Sequence, residues 1–420
     1  MKNYLVWDDY SHAVRPMQER EPKTPPSGSD LWVISALGKD RPGIIRDLLE
    51  TPAKMNVNIV DLDQRILRDL FIMSLVADLE KATATPEVLE QQLQERGRSL
   101  EVEISLRPLG RYDGWQKSRK DLQVVTILAR DRVGIIYSVA SAAADRGINI
   151  EKASVTARGE LISIEFIMAF PEKDADQARV MLRSDCEKLG LDVVVQDLDK
   201  FRKEKRLIVF DMDSTIVDFE TINEMAQFAG VDDEVREITE QAMRGELDFE
   251  AALRKRVRLL KGTPISYLKD IVNNMQFTPG SEELIHHLRQ MGYKVALISG
   301  GFTYFTNVLK DRLGFDYTFA NELVVVDGVL TGEINGDIID ATAKGLIVNR
   351  LAELENISPD SIVAVGDGAN DCLMIQNAGL GVAFNAKDIL RRVSDGSLSK
   401  ENLLGLLNIL GLANRGMERW

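Results

Sequence analysis

Val209-Phe210-Asp211-Met212-Asp213-Ser214-Thr215, "VFDMDST", ends a continuous apolar run with two carboxylates one residue apart. Leu207 to Phe210 are all apolar and β-prone, the pattern of a strand buried on both faces, as in a parallel sheet. Side chains at i and i+2 point the same way along a strand, which predicts that Asp211 and Asp213 sit roughly 6.6 Å apart along its axis. Holding two like charges together is unfavourable unless a cation, a shared proton or a reaction compensates.

Outward from this segment, strands alternate with helices. LIVFDMD, YKVALISGG, YTFANEL, SIVAVGDG and LGVAFNA are short apolar runs with helical segments between most of them, which predicts an α/β domain with a parallel sheet over 205–420. The largely helical stretch between the first two runs reads as a cap, about 217–283, and LVVVDGVLTGEI as a hairpin turning at Asp327-Gly328. Open parallel sheets bind ligands at the carboxyl ends of their strands. There the second run offers Ser299-Gly300-Gly301, and the fourth offers Gly366-Asp367-Gly368-Ala369-Asn370-Asp371. Lys344 lies between them in ATAKG. Four aspartates, a lysine and a serine at one rim call for Mg²⁺, which prefers hard oxygen ligands and phosphate.

The order DxDST, SGG, lysine, GDGxND resembles the four motifs of the haloacid dehalogenase (HAD) superfamily, whose core is Rossmann-like. The resemblance implies that Asp211 is a nucleophile forming an aspartyl-phosphate and that Asp213 is the general acid and base. It also implies Mg²⁺ on Asp211, the Asp213 carbonyl and Asp367, with Ser299, Gly300 and Lys344 receiving phosphoryl oxygens. Asn370 and Asp371 would steer substrate and metal. Cys372, beside Asp371, reads as a packed side chain, and His286-His287 as a surface pair.

In the cap, LDFEAALRKRVRLLKG reads as a helix with Asp248 as N-cap and Gly262 as its closing glycine. Phe249, Leu253, Arg256 and Leu260 share one stripe, so an arginine occupies apolar positions and needs an anion, either a structural ion-pair partner or a ligand. Glu220 is either an ordinary first-turn acid or a ligand for a cation. Phosphoserine is the smallest molecule carrying the phosphate, carboxylate and ammonium that this set would match. FETINEMAQFAG and the segment from EITEQAM to Gly262 resemble the cap of the phosphoserine phosphatase family, a likeness that extends over 207–412. It implies that Glu220 binds the amino group and Arg256 the carboxylate, with Met243 and Phe249 closing over the ligand. Met212 departs from the Phe or Val frequent in that family and should face away from the site. The expected function is hydrolysis of O-phospho-L-serine in L-serine biosynthesis. The alternatives are a broader phosphomonoesterase or phosphotransferase, and a serine-sensing regulatory protein.

Upstream, KDRPGII at 39–45 matches RDRVGII at 130–136, and Asn-Ile at 58–59 matches Asn-Ile at 149–150, both at the same offset, which marks an internal duplication. Each copy reads βαββαβ, a ferredoxin-like α+β unit, over 30–110 and 120–200. The Asp-Arg-x-Gly-Ile-Ile and Asn-Ile signatures resemble ACT domains, which implies an amino-acid effector, with Asp40, Asn58, Asp131 and Asn149 as candidate contacts, and a homodimer through edge strands. Residues 1–29 read as a mobile tail. A net charge of -14 argues against nucleic-acid binding. Two cysteines without metal spacing, no apolar run of membrane-spanning length and no signal-peptide pattern lead to the expectation of a cytoplasmic protein.

Overall fold

A computed structural model describes residues 30–111, 121–158, 161–171, 173–399 and 402–412; the segment expected as a mobile tail, 1–29, lies outside the described residues. The chain divides into two compact units, Met1–Ser118 and Arg119–Trp420.

The first unit is a complete βαββαβ motif: β1 (Asp30–Lys39), α1 (Ile44–Lys54), β2 (Asn58–Leu67), β3 (Leu70–Asp78), α2 (Pro86–Leu100) and β4 (Val102–Arg111). Its antiparallel sheet has the order β2-β3-β1-β4. Alternation along β3 puts Phe71, Met73, Leu75 and Ala77 into the core, where they meet Ile44 and Leu48 of α1 and Leu89 and Leu93 of α2. The glycine of the repeated signature has a backbone role. Gly43, and its counterpart Gly134 in the second copy, take φ of 85° and 93°, left-handed conformations that let each first strand turn directly into its helix.

The second unit starts with the other copy: β5 (Asp121–Arg130), α3 (Ile135–Ala144), β6 (Asn149–Arg158), β7 (Leu161–Phe170), α4 (Ala175–Lys188) and β8 (Asp192–Asp197). After α5 (Leu198–Arg202) the α/β core opens with β9 (Leu207–Phe210), every residue of which is buried. Four helices follow as the cap, α6 (Thr221–Ala229), α7 (Asp232–Met243), α8 (Phe249–Leu259) and α9 (Ile265–Asn273). The core resumes with α10 (Ser281–Gln290), β10 (Lys294–Phe302), α11 (Thr303–Leu313), and the hairpin β11 (Tyr317–Val326) and β12 (Val329–Asn335), which turns at Asp327-Gly328. It ends with α12 (Ala341–Glu355), β13 (Ile362–Gly366), α13 (Cys372–Gln376), β14 (Leu380–Phe384), α14 (Asp388–Val393), β15 (Gly396–Leu398) and α15 (Gly405–Ile409).

Alternate residues of the core strands feed two layers. Leu207, Val209, Ala296 and Ala364 pack with α12 and α13, while Ile208, Phe210, Leu297 and Val365 pack with α10, α11 and the cap. Burial on both faces is why these strands are unbroken apolar runs.

The change of element pattern near Leu207 separates 120–200 from 205–420, yet one sheet runs through both. Its order is β12-β11-β10-β9-β13-β14-β15-β8-β5-β7-β6. β14 and β15 pair in parallel, and β15 meets β8 antiparallel at Gly396 and Val194. Arg183 of α4 donates to the carbonyls of Ser394 (2.6 Å) and Arg391 (2.8 Å) at the end of α14, and Asp192 accepts from the Ser399 N–H at 3.0 Å. Among the described residues no helix is long and apolar enough to cross a membrane.

Candidate active site

The strand carrying the paired aspartates stops at Phe210, one residue before the first of them. Asp211 continues only as far as a bond from its N–H to the Val365 carbonyl (2.9 Å), after which the N–H groups of Thr215, Ile216 and Val217 all turn back to the Met212 carbonyl. The expectation of two carboxylates side by side on a strand is therefore corrected: Asp213 sits in a tight turn, and Ser214 after it has a φ of 57°. Both still line one cavity of about 630 Å³ at the rim of the sheet. Met212 points the other way, into the core, as expected.

The site has a buried ionic floor. Lys344, fully buried on α12, donates to Asp211 Oδ1 at 2.6 Å and to Asp371 Oδ1 at 2.7 Å. Asp371 Oδ2 accepts the N–H groups of Asp367 and Gly368, each at 3.1 Å, which folds the loop after β13 around it. Asp371 is thus committed to protein donors, while Asp211 and Asp367 line the cavity beside it. Oxygens of Asp211, Asp367 and Asp371 lie within 4.8 Å of one another. One ammonium among three carboxylates leaves two negative charges in excess, all on hard oxygen donors. This donor set fits Mg²⁺.

The titration behaviour follows from burial. Desolvation, then the charge of Asp371, raises the Asp211 carboxyl well above its ordinary range, against the pull of Lys344. Burial would lower Lys344, but Asp211 and Asp371 outweigh it and hold the ammonium charged. Burial and the charge of Glu220 push Asp213 up to about 8, although the Thr221 N–H (3.1 Å) and hydroxyl (3.3 Å) both donate to it. Burial and Asp371 push Asp367 up to about 7. A cation would reverse the shifts of the three carboxyl groups by favouring their ionised forms.

The remaining residues singled out from sequence gather around the same space. Gly300 and Asn370 line it from the core, and Glu220, Met243, Phe249 and Arg256 line it from the cap. Ser299 lies fully buried at its edge, its Oγ accepting the Gly301 N–H at 2.8 Å. Asp248 caps α8 through the Ala251 N–H (2.7 Å), which sets the helix that carries Phe249 and Arg256. Arg256 has no carboxylate within ion-pair distance among the described residues. Its contacts are the Ala252 carbonyl at 3.4 Å and the Thr239 hydroxyl at 3.5 Å, and burial lowers its affinity for its proton. The charges of Glu220 and Asp213 favour its protonated form without a direct ion pair. Glu220 is the N-cap residue of α6, but its carboxylate makes no capping bond and accepts from the Ser214 hydroxyl at 3.3 Å.

The sequence comparisons agree with this arrangement. The haloacid dehalogenase-like hydrolase family matches residues 205–379, and the ACT domain family matches residues 30–107. A phosphoserine phosphatase of Archaeoglobus fulgidus is 52% identical over 343 residues, 82% of this chain and 98% of that protein. The chain belongs to the phosphoserine phosphatase family. Another relative, a phosphoserine phosphatase of Streptomyces coelicolor, is 34% identical over 394 residues, covering 92% of this chain and 93% of its own. Among solved structures, a HAD family hydrolase from Salmonella enterica serovar Typhi superposes with a TM-score of 0.62 at 28% identity, over 69% of this chain and 98% of its own.

Within this member of the phosphoserine phosphatase family, several cavity residues escape sequence reasoning, three of them with polar side chains beside the groups already described. Thr221 holds the Asp213 carboxylate, Thr239 stands beside Arg256, and Lys387 lines the mouth near Asp367. Lys387 was findable, because it follows the carboxyl end of β14, where the rule for parallel sheets puts ligands. The two threonines carry no such signal, since ordinary helix positions hold threonine as often.

Proposed function

We propose that the chain hydrolyses O-phospho-L-serine to L-serine and phosphate with the help of Mg²⁺, the last step of L-serine biosynthesis. The observation that carries this reading is Arg256, a largely buried guanidinium without a carboxylate partner, lining the same cavity as Asp211, Asp213 and Glu220. A cation there calls for an anionic group on the ligand. Glu220 calls for a cationic one, and the floor accepts the phosphate.

Each residue then has a distinct task. Asp211 attacks phosphorus, and the bond to the serine oxygen breaks as that oxygen takes the Asp213 proton. Burial and the negative charge of Glu220 both favour the protonated form of Asp213, the form a general acid needs. Asp213 next removes a proton from water, the water oxygen attacks the aspartyl-phosphate, and phosphate leaves as the Asp211 carboxylate is regenerated. Lys344, engaging Asp211 Oδ1, keeps the nucleophile oriented and supplies positive charge beneath the phosphoryl group, and the Ser299 hydroxyl and Gly300 N–H receive its oxygens. Held by Asp211, Asp367 and the Asp213 carbonyl, Mg²⁺ would neutralise the two excess charges and let a phosphate dianion approach. Met243, 71% exposed, and Phe249 would cover the serine backbone.

The βαββαβ copies would bind an amino-acid effector, and β6, the last strand of its sheet, offers an edge for a homodimer in the cytoplasm. The test of the catalytic reading is phosphate release from phosphoserine, phosphothreonine and simple phosphate esters, with and without Mg²⁺. Phosphoserine should be preferred and Asp211→Asn should abolish turnover while keeping the fold. Equal rates on all esters would remove the substrate assignment.

A further inference from the structure

The register of β10 against β11 slips at the site. Ile298 lies opposite Phe319, but the next pair is Phe302 with Asn321, so four steps along β10 answer two along β11. Ser299, Gly300 and Gly301 stand where β11 has Ala320 alone, a surplus of two residues, and bulge out of the ladder. A bulge leaves backbone groups without ladder partners, and here one side chain takes up a bulge carbonyl and ties it to a neighbouring segment. Asn321, 1% exposed, donates from Nδ2 to the Gly300 carbonyl at 2.8 Å and accepts the Ile339 N–H on Oδ1 at 2.8 Å.

The peptide joining Gly300 to Gly301 is a rigid plane, so fixing its carbonyl fixes its N–H. That N–H donates to Ser299 Oγ at 2.8 Å. With a lone pair thus engaged, the hydroxyl keeps its proton for another acceptor. On the other side, Ile339 precedes Asp340, which caps α12 through the Ala343 N–H at 2.7 Å and so sets the helix that carries Lys344. One buried amide therefore ties the turn presenting Ser299 to the helix presenting Lys344.

We propose that Asn321 is a positioning residue that aims the Ser299 hydroxyl at the transferring phosphoryl group and holds it in register with Lys344; this rests on the function proposed above. Asparagine is the side chain that suits the place, because the two partners are a carbonyl and an N–H. Asn321→Asp keeps the acceptor for Ile339 but sets a second acceptor against the Gly300 carbonyl. Asn321→Leu removes both bonds.

Two measurements test the proposal. In Asn321→Asp the Gly301 amide, followed by NMR hydrogen exchange, should exchange at least about tenfold faster while Ile339 and the β9 amides are unchanged; in Asn321→Leu both Gly301 and Ile339 should accelerate. With phosphoserine, Asn321→Asp should lower kcat by about 10- to 100-fold with KM within about threefold, less than the roughly 10²–10³ for deleting a donor outright. Asn321→Asp added to Ser299→Ala should cost no more than Ser299→Ala alone, because one acts through the other. Unchanged Gly301 exchange, additive losses, or faster exchange throughout β9 would each overturn the clamp. A wild-type protein inactive on phosphoserine would overturn the function instead, and the exchange pattern would still decide the clamp.

Discussion

Replacing Arg256 with methionine separates ligand binding from folding in a single variant. In the free protein the guanidinium makes two long hydrogen bonds among the described residues, at 3.4 and 3.5 Å, neither of them to a carboxylate. An apolar side chain of similar length should therefore leave stability within about 1 kcal/mol, a shift in Tm of about 2–4 °C or less. Substrate binding should respond quite differently. A guanidinium holding a carboxylate in a shielded cavity makes two charge-assisted hydrogen bonds, each worth about 1.5–3 kcal/mol. Losing about 3–6 kcal/mol lowers kcat/KM for phosphoserine by roughly 10²–10⁴-fold, at about 1.36 kcal/mol per decade. Phosphoethanolamine keeps the phosphate and the ammonium but has no carboxylate, so its hydrolysis should change by less than about threefold. Thermal melts and phosphate release on the two substrates are the assay. Equal losses on both substrates, or a fall in Tm of many degrees, would refute the assignment.

Two further outcomes are expected. Without metal, the folded protein retains protons on Asp213 up to about pH 8 and on Asp367 up to about pH 7, whereas the unfolded chain releases them near the ordinary value of 3.8. The native state then binds more protons across that window, so stability should decline as pH rises from about 4 and level off above about 8. Saturating Mg²⁺ should raise Tm more at about pH 8 than at about pH 5.5, and an equal rise at both in calorimetry would contradict this. Separately, a Cβ on Gly396 would stand 2.5 Å from Val194 Cα and 2.6 Å from the Val193 carbonyl. Gly396→Ala should therefore force β15 from β8, cost about 1–3 kcal/mol, and split one calorimetric transition into two; an unaltered single transition would count against the sheet junction.

Much of the site was legible because its chemistry sits where apolar runs end. LIVF, VALIS and IVAVG are uninterrupted because both faces of each strand are covered, and the polar residues that follow them meet at one rim. Arg256 was legible as a charge out of place on an apolar stripe. What escaped depends on partners distant in the chain. β15, GSL, is three residues long and too polar to stand out, and becomes a strand only because β14 and β8 flank it. The end of β9 at Phe210 is set by the turn that closes on the Met212 carbonyl, which no local pattern announces. Thr221 and Asn321 look like any helix-start threonine and strand asparagine until the carboxylate and the bulge they serve are in place.

The shared sheet also bears on anyone wishing to isolate the hydrolytic half. Cutting the chain just ahead of Leu207 would strip β15 of its outer neighbour and leave the last carbonyls of α14 without Arg183. The fragment would display a raw β-edge, a template for self-association in the test tube. A lysine or proline introduced within Gly396–Leu398 would be the natural way to blunt it before such a fragment is made.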